Sequence, residues 1–191
     1  LSDDRCVYGI ESPLLNDESS RFLSIEDFAS HYISLIKSIQ PIGPYIISGW
    51  SFGGVVAYEM AGQLEASSER VNLFLYDSWA KHTEKFNEKS YFKKIYNRLN
   101  KQERWYSLLW KRMCVLLKYK PGKTNSYITL FKAMHINEEY IDVDDPSNHW
   151  NNVTDNSINI VSVPGDHSSL LIAPNVKCIA SMQNVIIKNI D

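Results

Sequence analysis

A serine stands between a hydrophobic run and a stretch of helical character in "YIISGWSFGGVVAYEMAGQL", residues 45–64. Gly49-Trp50-Ser51-Phe52-Gly53 fits G-x-S-x-G. Between a strand and a helix, that pattern holds the serine in strained torsions and exposes its hydroxyl at the carboxyl end of the strand. The glycines on either side, Gly49 and Gly53, are expected to let strand and helix close together without clashes. The start of the helix points free N–H groups at the same place and favours negative charge there. The Phe52 N–H is the candidate oxyanion donor.

A serine hydroxyl is a poor nucleophile near neutral pH. It needs a base, and the base needs an orienting acid. Five histidines are available. His31 falls inside a helical pattern, His82 opens a basic segment, His135 follows a strand, and His149 adjoins Trp150 in an Asn-rich loop. His167 differs, because "SVPGDHSSLL" places it just after a strand ending at Val163. That is the sheet edge where Ser51 belongs, and the chain order serine, acid, histidine selects it. Asp77 ends the strand after the nucleophile helix, beside Ser51. The rival acids Asp142, Asp144 and Asp145 follow the next strand in what reads as a solvated acidic loop. Asp166 adjoins His167 and reads as a turn residue.

These side chains need a scaffold. "CVYGI" (6–10) reads as a strand. Ser24 opens a helix, with Asp27 as a capping-box acid and apolar residues at helical spacing until Pro41, Gly43 and Pro44 end it. Tyr45–Ser48 form a strand, Gly53–Leu64 a helix, and "VNLFLYD" (71–77) another strand. The alternation predicts an α/β architecture, a parallel sheet with crossover helices. Residues 81–120 break the pattern and look helical. Strand patterns return at 126–133 and 158–163, and a last helix starts after Pro174.

"IQPIGPYIISGWSFGGVVAYEMAGQL" resembles the nucleophile region of thioesterase domains from nonribosomal peptide and polyketide synthases. "LYDSWA" resembles the strand of that family that ends in its catalytic aspartate, and "VPGDHSSLL" its G-D-H segment. The resemblance implies a single α/β-hydrolase domain over 1–191 with a helical lid inserted at about 81–123. It implies Ser51, Asp77 and His167 as catalytic residues, and Trp50 and Trp79 as substrate contacts. It implies no cofactor in the domain itself: the substrate rides on the 4'-phosphopantetheine arm of an acyl or peptidyl carrier protein. The family also begins with strands and a glycine-bearing loop that supplies a second oxyanion donor. "CVYGI" looks like a later strand, so the N-terminal strands are expected to be missing here.

Composition bounds the rest. The chain has 191 residues and net charge −2, with 44 % hydrophobic residues. That size supports one buried core. No apolar run approaches the ~20 residues of a membrane span, and no nucleic-acid motif is present. Cys6, Cys114 and Cys178 lack metal or disulfide spacing, which suits a reducing, cytosolic setting. Charge is unevenly placed: residues 81–123 hold thirteen Lys or Arg and three acids, net +10, and the remainder is net −12. That basic segment suits an acidic carrier protein or a solvated helix face. The sequence leaves two other functions open. One is a free-standing editing thioesterase or carboxylesterase with the same triad, and the other a noncatalytic hydrolase-like binding module.

Overall fold

The computed structural model describes residues 5–13, 24–80, 103–135 and 145–189. Helix α1 (Ile25–Ile39) starts at Ser24, whose side chain accepts from the Asp27 N–H while Asp27 accepts from the Ser24 N–H. The reciprocal bonds satisfy two donors that a helix start leaves open. Strand β1 (Tyr45–Trp50), helix α2 (Phe52–Ala66) and strand β2 (Val71–Tyr76) follow. Helix α3 (Glu103–Lys118), strand β3 (Tyr127–His135), strand β4 (Asn159–Asp166) and helix α4 (Asn175–Lys188) complete the described elements.

The four strands pair in parallel in the order β1-β2-β3-β4. Side-chain alternation along the strands divides two cores between the faces. Leu73 and Leu75 of β2 and Leu130 of β3 join α1 and α2 in one cluster; Phe74 and Phe131 point the other way, onto Ile179 and Ile187 of α4. Each such side chain removed from water contributes about 1.5–3 kcal/mol. Helix α2 is buried almost along its length, from Gly54 to Leu64, because α1 covers one side and β1 and β2 the other.

The expected strand at 6–10 is not one. Val7 and Tyr8 are 74 % and 62 % exposed. Residues 6–10 take no strand conformation, and with β1, α1, α2 and α4 they line a cavity of about 890 Å³. Within the expected lid, residues 81–102 lie outside the described residues. Helix α3 packs onto the body with Leu108 and Val115, in the same cluster as α2, and Arg112 lies over the Phe52 ring at 5.9 Å. No helix among the described residues is long and apolar enough to cross a membrane.

Candidate active site

The turn that carries Ser51 follows from packing. Ser51 has φ 53° and ψ −121° between β1 and α2, a conformation that costs a non-glycine residue energy. A Cβ on Gly49 would lie 2.2 Å from the Gly53 carbonyl oxygen, so only glycine lets β1 and α2 approach this closely. Gly53 is under no such constraint, since a Cβ there would meet open space. The second close approach belongs to Gly54, whose Cβ would lie 2.5 Å from Ser78. The sequence pattern named the wrong partner because the helix turns Gly53 outward and Gly54 inward.

Sheet register then sets the pair beside it. Trp50 is opposite Tyr76, so the next residues, Ser51 and Asp77, leave adjacent strands side by side. The Ser51 N–H donates to the main-chain oxygen of Tyr76 at 3.1 Å, and the Asp77 N–H to that of Phe131 at 2.8 Å. Asp77 also takes a left-handed backbone, φ 44°. Its carboxylate is buried and accepts from the Ala133 N–H at 3.0 Å. That donor lies where the β3–β4 register shifts between Ala133 and His135, as backbone beside a bulge is freed from the ladder.

His167 follows β4. Its Nδ1 is 2.8 Å from Asp77 Oδ2 and its Nε2 is 3.0 Å from Ser51 Oγ. Hydroxyl, imidazole and carboxylate therefore form one hydrogen-bonded chain, able in principle to pass a proton from the hydroxyl to the ring. The turn holding His167 is tied down by Asp166, which accepts from the Ser168 and Ser169 N–H groups and from the Ser169 hydroxyl. The Ser169 bonds lead in holding the Asp166 carboxyl below its usual range. Asp166 is thus the turn residue expected of it. Gly165 has φ 96°, and a Cβ there would meet Asn175 at 2.4 Å; sequence reading missed it, though the Pro164-Gly165 pair was a turn signal.

The other candidates are placed elsewhere. Asp142, Asp144 and His82 lie outside the described residues. Asp145 accepts from the Ser147 N–H and hydroxyl, and pairs with His149 Nδ1 at 3.2 Å. Burial would raise its carboxyl, but these partners hold it below the usual range. Lys132 donates to the main-chain oxygen of Asp145 at 2.8 Å; burial lowers its ammonium, opposed by Asp145 and Asp77. His135 Nδ1 is 3.3 Å from the Gly165 oxygen, and His31 lies in α1 beside Tyr32. Trp50 and Trp79 flank the His167 ring at 5.0 and 5.6 Å between centroids. The Trp79 indole N–H is buried with no hydrogen-bond partner. Phe52 opens α2, so its N–H is among those that a helix start leaves without an intrahelical acceptor. No group of three or more His, Cys, Asp or Glu among the described residues is arranged to hold a metal ion.

Comparison with known proteins bears on this arrangement. Residues 1–95 match the family model described as Thioesterase domain. A non-reducing polyketide synthase of Arthrinium sp is 45 % identical over 71 residues, covering 37 % of this chain and 4 % of that one. Malpibaldin synthetase of Mortierella alpina is 27 % identical over 186 residues, covering 87 % of this chain and 3 % of that one. The chain therefore spans only about 4 % of the length of these polyketide synthase relatives. Among solved structures, the NocB thioesterase domain in covalent complex with a fluorophosphonate nocardicin G analog superposes with TM-score 0.72 at 23 % identity. That match covers 87 % of this chain and 76 % of that one. This likeness shows the α/β-hydrolase fold.

Proposed function

We infer, from the premise that this chain belongs through residues 1–95 to the Thioesterase domain family, that it releases an acyl or peptidyl chain from a phosphopantetheinyl carrier protein. The observation that most supports this is the pair of hydrogen bonds that His167 makes, to Ser51 and to Asp77. In this reading His167 Nε2 takes the Ser51 proton as Oγ attacks the thioester carbonyl. The C–S bond breaks, the carrier thiolate leaves with the proton from His167, and an acyl-serine remains. Water, or a hydroxyl or amine of the bound chain, then attacks the ester with His167 again as base. The product is a free acid or a macrocycle, and Ser51 is restored. Asp77 holds Nδ1–H and steadies the positive ring. The Phe52 N–H stabilises the tetrahedral oxyanion. Trp50 and Trp79, beside the His167 ring, are read as contacts for the acyl group.

The chain is read here as one domain, with residues 81–123 as the lid. The packing of Leu108 and Val115 on the body supports this for α3. The net +10 of that segment would attract an acidic carrier protein and the phosphate of its arm. Cys6, Cys114 and Cys178 are all free, in keeping with a reducing cytosol.

The experiment offers one acyl group both on a phosphopantetheinyl carrier protein and as a small soluble ester. Release from the carrier, abolished in Ser51→Ala, is expected. Undiminished release by Ser51→Ala would remove the serine mechanism, and preference for the soluble ester would make the protein a carboxylesterase.

A further inference from the structure

We propose that Trp50 is a positioning residue that clamps His167 over Ser51. The inference rests on the reading of Ser51 and His167 as nucleophile and base. His167 sits on a turn, with its side chain 37 % exposed. Its two hydrogen bonds run from opposite ring nitrogens to Asp77 and Ser51. They fix the ring in its own plane, but a ring held only at its edge can still rock about that axis. Trp50 supplies the face. Its indole stacks on the imidazole at 5.0 Å between centroids and 26° between planes. Trp79 meets the ring at 52°, a tilted contact.

The same indole grips the backbone as well. Trp50 Nε1–H donates to the main-chain oxygen of His167 at 3.1 Å, across 117 residues of sequence. One side chain therefore restrains both the ring and the peptide that carries it. Trp50 also immediately precedes Ser51 in β1, so the base is referenced to the nucleophile's own strand. A tryptophan that is 43 % exposed would otherwise have little to fix its orientation; here its polar edge and one face are committed to a single residue.

The test uses the whole chain and two variants. Trp50→Ala removes stack and donor; Trp50→Phe keeps an aromatic face and loses the donor. Three readouts are compared: kcat and KM on a soluble acyl thioester, the rate at which a fluorophosphonate labels Ser51, and the downfield proton resonance of the His167 Nδ1–H bonded to Asp77. A stack and a neutral hydrogen bond each correspond to roughly fivefold. Trp50→Ala is expected to lower kcat and labelling about 30-fold, with KM within about twofold, and to lose the resonance. Trp50→Phe is expected to lose about fivefold and keep it. A rise in KM alone, with kcat, labelling and resonance at wild-type values, would make Trp50 a substrate wall and overturn the clamp. If Trp50→Ala does not fold, Trp50→Phe decides, and wild-type kcat and labelling in it overturn the proposal. If the unaltered protein neither labels nor turns over, yet the resonance depends on Trp50, the thioesterase reading fails while the clamp stands.

Discussion

The Ser78 hydroxyl donates to the main-chain oxygen of Ser51 at 2.9 Å. Ser78 is fully buried, and its own carbonyl accepts from Asn148 Nδ2 at 3.0 Å and Trp150 Nε1 at 2.9 Å. The residue after Asp77 thus holds the strained turn of Ser51 and is itself held from the segment before β4. Ser78→Ala removes the side-chain donor to the Ser51 carbonyl and leaves it the Gly54 N–H at 3.0 Å. It is expected to cost about 1–2 kcal/mol in stability, read from urea denaturation, and to slow fluorophosphonate labelling of Ser51 about tenfold, a loss of roughly 1.4 kcal/mol of barrier lowering.

The glycines separate by position. Gly49→Ala would place a methyl group 2.2 Å from the Gly53 oxygen, and soluble folded protein is not expected. Gly53→Ala meets open space and exchanges a poor helix former for the best one. Its midpoint in thermal denaturation is expected to stay level or rise, by up to about 1 kcal/mol of stability. A pattern reading that treats both glycines alike predicts equal damage.

Asp77→Asn should keep the fold's outline, since the amide oxygen can still accept from the Ala133 N–H. It removes the acceptor that fixes His167 in the tautomer with hydrogen on Nδ1. Turnover is expected to fall by about 10³–10⁴-fold, measured as kcat on an acyl thioester. Asp145→Asn, on the rival acid, should leave turnover within about twofold, because Asp145 is occupied by Ser147 and His149; an effect there as large as at Asp77 would reverse the assignment.

Stability at high pH draws on several tyrosines: burial raises the ionisation of Tyr32, Tyr45, Tyr76 and Tyr119 as well as that of Tyr58. The Tyr58 hydroxyl lies within hydrogen-bond reach of the Gly122 and Val153 carbonyl oxygens. Burial, then Glu65 and Glu59, push its ionisation well above the usual tyrosine range. A group raised on folding contributes stability that is intact below its unfolded value, near 10, and is lost as pH climbs beyond it. Unfolding free energy should therefore decline from about pH 10 upward. Tyr58→Phe should lower it by about 1 kcal/mol at neutral pH and make the alkaline decline shallower without abolishing it, followed by chemical denaturation at stepped pH.

The framework was legible because its signals are local. Ser24 with Asp27, Pro41 after α1, and the alternation of apolar runs with helical spacing each need only a few residues of context. Ser51, Asp77 and His167 stood out because each follows a strand. What stayed hidden depends on contacts between distant segments. Gly54 differs from Gly53 only through what α2 presses against Ser78. The donor to Asp77 is the backbone N–H of Ala133, a group every residue but proline carries. "CVYGI" has the composition of a strand, but a strand is defined by a neighbour to bond with, and a single chain segment does not announce one.

Among the described strands, order across the sheet repeats order along the chain, and His167 follows β4, the last of them. A growing polypeptide thus exposes the hydroxyl at 51 and the carboxylate at 77 long before it has an imidazole to join them. Until β4 anneals to β3 the Ser51 hydroxyl has no imidazole nitrogen beside it. Annealing of β4 is thus the step that closes the hydrogen-bonded trio of Ser51, His167 and Asp77.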